Sequence, residues 1–396
     1  MTLSSRIQNV TGGTSGGWDL FLKARAMVAA GEPVVELTIG EHDIRTAPAI
    51  LQEMHRAALA GHTGYAPVPG TDALRRAVAQ RTERMTGVPT GPENVTVTTG
   101  GQAALFAAHH AATDDGDAAL FVDPYYATYP GTLRALGLTP VPVPARPEDG
   151  FQPREADLRA ALAAHPRARS LLVNSPNNPT GAVYGPETWE GIARVVRDHD
   201  LWLISDEVYD AQVWHGRHIS PRALPGLSDR TLVVGSMSKS HAMTGSRVGW
   251  IVGPEAAIEA LIQLSTHTTY GVPGYIQDAA AWALAQGPGF EAEVGAPFAR
   301  RRALTLELLG RQSVVRAVPP EGAMYVMLDI RATGMTGEAF ADALLDAHRI
   351  AVMPGESFGT AAAGHLRVAM TVEDDTYARA LSTLLDFAAE RASATV

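Results

Sequence analysis

Residues 170–210 read SLLVNSPNNPTGAVYGPETWEGIARVVRDHDLWLISDEVYD. An apolar run, SLLVN (170–174), gives way to a turn rich in Asn, Pro and Gly. A stretch of helical periodicity comes next, ETWEGIARVVRDHD (187–200), and then a second apolar run, LWLIS (201–205). Near-continuous apolar runs suit strands buried on both faces. The same alternation extends outward. VTVTT (95–99), AALFV (118–122), TLVVG (231–235) and VGWIV (248–252) predict further strands. TDALRRAVAQRTERM (71–85) and EADLRAALAAH (155–165) predict further helices. The expected fold class is α/β, a mostly parallel sheet covered by helices.

The character of the chain changes near 290. FEAEVGAPFARRRALTLELLG (290–310) reads as one long helix with Gly310 as its stop. MYVMLDI (324–330), a helix over 337–348, RIAVMP (349–354), HLRVAM (365–370) and a helix from about 374 form an α+β tail. The expected division is a large domain, 48–290, and a smaller one made of 1–47 with 291–396.

Composition narrows the function. The 396 residues carry 32 Lys plus Arg against 42 Asp plus Glu, a net charge of −10. That balance disfavours nucleic acid as a general partner. There is no cysteine, which removes disulfides, thiolate metal sites and cysteine nucleophiles. No metal site is expected. The first residues, MTLSSRIQNVTGGTSGG, lack a signal peptide's apolar run, and no stretch approaches 18 apolar residues. The expectation is a soluble cytoplasmic protein with no membrane partner.

Some attractive motifs fail on inspection. GESFG (355–359) matches a nucleophile elbow, but TAAAG and another apparent strand come after it where a helix is needed. The glycines of TGGTSGG (11–17) follow no strand and lack dinucleotide-binding spacing. His109 and His110 are adjacent and do not share a helix face, so core or surface roles are expected.

The informative constellation stands at the strand ends, where open α/β sheets bind ligands. SLLVN leads into SPNNPTG, LWLIS into DEVYD, TLVVG into SMSKSHAMTGSR, and VTVTT into GGQAAL at a helix start. Each has an ordinary reading. NNPTG is turn-forming, Asp206 suits a helix cap, Lys239 suits a solvated surface and the glycines suit a tight loop. Taken together they match one cofactor.

SPNNPTGAVY, SDEVYD and SMSKSHAMTGSRVGW resemble the signatures of the class I/II aminotransferases, fold-type I enzymes that use pyridoxal 5′-phosphate. The resemblance covers nearly the whole chain. SKSHAMTG, YGVPGYIQDAA and GESFG…AAGHLRVAM look most like bacterial arginine–pyruvate transaminases. The resemblance implies that Lys239 supplies the amine that condenses with the cofactor aldehyde and then moves the substrate α-proton. A neutral amine is needed, so its surroundings must lower its pKa. Asp206 would pair with the pyridine nitrogen and make the ring an electron sink. Asn178 and Tyr209 would bond the ring oxygen, and Tyr126 would stack on the ring. Gly101 and Gln102 would offer backbone N–H groups to the phosphate, with Ser236, Ser238 and Arg247 beside them. Arg247 follows Lys239 by eight positions, the family spacing. Tyr65 matches a tyrosine that the neighbouring subunit lends, which implies a homodimer with composite sites. Arg367 would grip the substrate α-carboxylate, and Gly40 would form the turn over it. Two residues depart from the family pattern: His42 stands where proline is common, and Ser246 where an aromatic is common.

The side-chain pocket is less determined. Aspartate specialists of this family often place an arginine near HTTYGVPGY (267–275), and none lies there. A cationic donor would need carboxylates, for which Asp19, Glu41 and Asp43 are candidates beside Trp18 as an apolar or cation–π wall. Solvated or capping roles for these carboxylates stand open. The expected reaction moves the α-amino group of an amino acid, arginine or another long polar one, to a 2-oxo acid such as pyruvate. Two alternatives remain: another carbanion enzyme on the same scaffold (racemase, decarboxylase, lyase or oxidase) and a ligand-sensing regulator. The regulator would need a DNA-binding appendage that the start of the chain does not supply.

Overall fold

The computed structural model describes residues 1–13 and 18–393. Part of the glycine-rich stretch 11–17 therefore lies outside the described residues. Among the described residues the strands are β1 (Val35–Glu36), β2 (Val95–Thr98), β3 (Ala118–Asp123), β4 (Thr139–Pro144), β5 (Ala168–Asn174), β6 (Trp202–Asp206) and β7 (Thr231–Ser236). They continue as β8 (Gly249–Val252), β9 (Arg316–Ala317), β10 (Tyr325–Asp329), β11 (Ile350–Ala351), β12 (Met353–Pro354) and β13 (His365–Ala369).

The main sheet runs in the order β2-β8-β7-β6-β5-β3-β4. Pairing is parallel from β7 through β4, while β8 runs against both its neighbours. The sheet is thus mostly parallel, as the apolar runs predict. Every residue of β3, β7 and β8 is buried, which is why those runs show no polar alternation. β4 is absent from the predicted strands. Its Pro140, Pro142 and Pro144 offer no ladder donors, which an edge strand tolerates.

The helix Gly101–Ala112 buries Ala104, Leu105 and Ala108 against Ile204, Val234 and Ile251 of the sheet. Burying the Leu, Ile and Val side chains contributes roughly 1.5–3 kcal/mol each. The smaller sheet has the order β12-β13-β10-β9 and is antiparallel. RIAVMP, one predicted strand, is split. Ile350–Ala351 pairs with β1, and Met353–Pro354 joins β13. The long helix Gly289–Leu309 and the last helix, Asp374–Ser393, pack here around Phe298, Phe340, Leu381 and Phe387.

Register positions the polar residues of both sheets. β5 and β6 align Asn174 with Asp206 at their C-terminal ends. The antiparallel pairs place Arg367 opposite both Met327 and Met353 in the middle of the small sheet. The chain leaves β3 for β4 on one side and β5 on the other, so the strand order reverses there, and ligands bind outside such points.

Candidate active site

A cavity of about 330 Å³ opens at the C-terminal ends of β5, β6 and β7. Lys239, Asp206, Tyr209, Asn178, Tyr126, Gly101, Gln102, Ser236, Ser238, Arg247, Arg367, Gly40 and Trp18 all line it. Of the expected site residues, Tyr65 and Asp19 stand outside that lining.

Its floor is a buried carboxylate. Asp206 Oδ2 accepts from the Tyr129 hydroxyl at 2.7 Å, and Oδ1 accepts from the Val208 N–H at 3.3 Å. Burial pushes its pKa up to about 6 despite those donors. A carboxylate held this way is poised for a cationic partner. Asn174 Nδ2 ties down the Asp206 carbonyl at 2.9 Å, and Asn174 Oδ1 accepts from the Asn178 N–H at 2.7 Å. The Asn-rich turn after β5 is thereby fixed to β6.

Lys239 lies on the short helix Met237–Ser240, directly after β7. Its Nζ donates to the Gly40 carbonyl at 2.5 Å. Burial lowers the pKa of the amine, and the positive charges of Arg367 and Arg247 act in the same direction. That is the direction a nucleophilic amine requires.

The anion-binding end is built at a helix start. The first bond of the helix Gly101–Ala112 runs from the Ala104 N–H to the Gly100 carbonyl, so the Gly101 and Gln102 N–H groups have no intrahelical acceptor. Gly100 sits at φ 86°, and a Cβ there would stand 2.3 Å from Arg247 Nη2. Glycine is what allows the guanidinium to approach this turn. Arg247 is itself held at φ 50° and donates to the Thr244 carbonyl at 2.8 Å. The Ser236 and Ser238 hydroxyls meet at 3.0 Å, and Ser236 Oγ accepts from the Ser238 N–H at 3.1 Å.

Arg367 forms the opposite wall. Nη1 donates to Asn178 Oδ1 at 2.9 Å, and Nη2 donates to the Thr38 carbonyl. Its Nε is buried without a partner among the described residues, a donor left for a ligand. The guanidinium lies 4.5 Å from the Tyr325 ring centroid and 4.3 Å from that of Phe358. A Cβ at Gly40 would strike the Tyr325 hydroxyl at 1.7 Å, so only glycine fits this turn. The Tyr209 and Tyr325 hydroxyls meet at 3.0 Å.

The candidate carboxylates separate. Glu41 lines the cavity and accepts from Thr244 Oγ1 at 3.3 Å. Asp43 is engaged elsewhere, in a two-point pair with Arg301 at 3.1 and 2.6 Å. Asp19 is exposed. Tyr65 is 93% exposed, with its ring edge-on to Tyr270 at 5.4 Å. Ser246 does not line the cavity. Elsewhere, Ser357 of GESFG is buried on a 3-10 turn, His109 is buried and His110 exposed, as their neighbours in sequence suggest. Sequence reasoning missed Tyr129, Asn174 and Tyr325. Tyr129 lies in DPYYATYP, where Tyr126 was the expected aromatic. Asn174 ends a predicted strand, and nothing near Tyr325 in sequence marks it.

Comparison with known proteins is consistent across the chain. The family model described as aminotransferase class I and II matches residues 32–384. The arginine–pyruvate transaminase of Pseudomonas aeruginosa is 43% identical over 373 residues, 94% of each chain. The aspartate aminotransferase of Thermus thermophilus, solved with maleate, superposes with a TM-score of 0.90 at 36% identity, over 98% of this chain and 100% of that one. An aromatic aminotransferase from Pyrococcus horikoshii superposes with a TM-score of 0.87 at 32% identity, over 93% and 99%.

Proposed function

This chain belongs to the aminotransferase class I and II family, and on that premise we propose its substrates and the division of labour in its site. It is a pyridoxal 5′-phosphate-dependent transaminase acting on an amino acid and a 2-oxo acid. The donor is arginine or another long polar amino acid, and the acceptor is pyruvate or a similar 2-oxo acid.

The residues present fit the cofactor. An amine, a buried carboxylate and an anion-binding helix start face one cavity, and the Gly100 turn, at φ 86°, brings the Arg247 guanidinium close to that helix start. When bound, the cofactor supplies an electron sink for the negative charge left at the substrate α-carbon. Lys239 would hold the cofactor, and its amine is placed to carry the substrate α-proton. Asp206 keeps the ring nitrogen protonated. Gly101, Gln102, Ser236, Ser238 and Arg247 bind the phosphate. Asn178 and Tyr209 would hold the ring oxygen, and Tyr126 would hold the ring itself. Arg367 and the Gly40 turn orient the α-carboxylate, which decides which α-bond lies in line for cleavage. One cavity would serve the donor and then the acceptor, so the kinetics would be ping-pong.

The observation that carries this reading is the convergence of Lys239, Asp206 and Arg367 on one cavity. The donor preference has separate support. Trp18 and Glu41 line the mouth, giving an apolar wall and a carboxylate for a distal cation. Relatives of the same fold are named for arginine, aspartate and aromatic substrates, so fold alone does not choose.

Three further assignments complete the proposal. The active unit is a cytoplasmic homodimer. Tyr65, exposed and outside its own cavity, reaches the phosphate end of the partner's site. Residues 48–290 form the cofactor domain, and 1–47 with 291–396 form the smaller one. Among the described residues no helix is long and apolar enough to cross a membrane.

A half-reaction screen tests the substrate assignment. Each amino acid is mixed with the pyridoxal form, and loss of its visible band is followed. Arginine or a similar donor should bleach the band, and pyruvate should restore it. Bleaching by aspartate but not by arginine would overturn the donor assignment.

A further inference from the structure

His42 lies in the segment 40–43, and its ring is buried. Its Nε2 stands 2.9 Å from the carbonyl oxygen of Lys239. A carbonyl only accepts, so Nε2 carries the hydrogen and His42 is the donor. The same carbonyl accepts from Gln212 Nε2 at 3.1 Å. The helix bearing Lys239 is one turn long and leaves its last carbonyls without intrahelical partners, so distant side chains meet this one. Two residues before His42, the Gly40 carbonyl accepts from Lys239 Nζ. One short loop therefore holds the lysine at both its backbone and its amine.

The loop is anchored in turn. Asp43 takes its two-point pair from Arg301, and the His42 ring meets Phe298 edge-on with centroids 5.5 Å apart. Both partners lie on the helix Gly289–Leu309. Burial, and then the charge of Lys239, hold the imidazole pKa down to about 4, so at neutral pH the ring is uncharged and remains a donor. Its Nδ1 is buried without a partner among the described residues. A buried orphan acceptor is unfavourable, and an apolar ring would pack without it. The donor bond is what the imidazole adds.

We propose that His42 is a positioning residue for Lys239, pinning the lysine backbone while the Gly40 carbonyl receives the amine. His42 does not line the cavity, and its ring meets the site at the Lys239 carbonyl. Misplacing a reacting group by an ångström lowers rates by about a hundredfold, so a partial loosening should be visible. The inference rests on Lys239 as the reacting amine.

The test uses the full-length chain with His42→Phe, His42→Gln, Gln212→Leu and the double variant His42→Phe/Gln212→Leu. Phenylalanine keeps the ring contact and removes the donor, while glutamine restores an amide donor. Three quantities are read: kcat and KM for the amino donor, the rate at which cofactor-free protein takes up pyridoxal 5′-phosphate, and the melting temperature. His42→Phe should lower kcat about tenfold, slow uptake similarly and leave KM within about twofold. His42→Gln should recover most of both rates. The double variant should lose more than the product of the single losses, because each single variant leaves the carbonyl one donor. Equal losses in the Phe and Gln variants, losses that only track the melting temperature, or a native kcat in the double variant would overturn the proposal. Should His42→Phe not fold, His42→Met takes its place under the same expectations. A wild-type cofactor adduct mapping away from Lys239 would refute the site reading itself, which is a separate result.

Discussion

Asp206, Ser236, Lys239 and Arg247, at the proposed cofactor end of the cavity, come from one run of chain, 206–247, at and after the ends of β6 and β7. Trp18, Gly40, Glu41 and Arg367, at the substrate end, come from the two extremes of the chain. The first group is held by sheet register and short loops. The second depends on long-range contacts, such as Arg367 with Asn178 and with the Thr38 carbonyl. The proposed cofactor residues stand mostly at strand ends, while the proposed α-carboxylate grip joins segments distant in sequence. Donor choice sits where segments distant in sequence meet.

The largest effect expected from this contrast is at Lys239. Lys239→Ala should retain the cofactor non-covalently and lose turnover by about a thousandfold or more, since the covalent link and the proton carrier both go. Single-turnover kinetics with saturating cofactor measure it. Residual activity near one-tenth of native would show that the cofactor end does not depend on this amine.

Arg367→Ala comes next. A charge-assisted pair lost from a buried site should raise the barrier by about 2–5 kcal/mol in kcat/KM. The loss should apply to every amino acid donor alike, because the α-carboxylate is common to all. A loss confined to arginine would move Arg367 from the shared machinery to donor choice.

Asp206 ties the cofactor end to stability. Its folded-state pKa is raised to about 6 from an ordinary 3.8. Between those values the native chain holds a proton that the unfolded chain has lost, so stability falls as pH rises through this window. Without cofactor, Asp206→Asn should therefore gain stability relative to the wild type by roughly 1–1.5 kcal/mol as pH rises from 5 to 7.5. Denaturant melts across that range check it. A gap that stays constant with pH would mean that burial does not perturb this carboxylate.

The smallest effect belongs to the mouth. Glu41→Gln should lower kcat/KM for arginine by about two- to fivefold, the scale of one exposed charge pair, and leave an uncharged donor unchanged. Equal losses on both donors would place Glu41 outside the specificity pocket.

The same contrast explains what could be read from sequence. The strand ends were legible because the buried runs stop at chemistry-bearing residues, as at Asp206 and Ser236. β4 was not, because alternating prolines hide a strand that only an edge admits. Asp43 looked available for substrate, but its partner Arg301 lies on a helix far along the chain, and no local pattern marks that pair. Tyr325 and Tyr129 were missed for the same reason: their contacts with Tyr209 and Asp206 exist only once the fold brings them together. His42 could be flagged as a departure from the family, but its bond to Lys239 spans the two ends that sequence cannot align.

The chemistry of the whole site converges on one nitrogen, Lys239 Nζ. Purified protein loaded with pyridoxal 5′-phosphate should be yellow, and borohydride should abolish both its visible band and its activity while fixing the cofactor to the chain. Peptide mapping should then find the adduct on Lys239. An adduct on another residue, or none after full loading, would contradict the central claim.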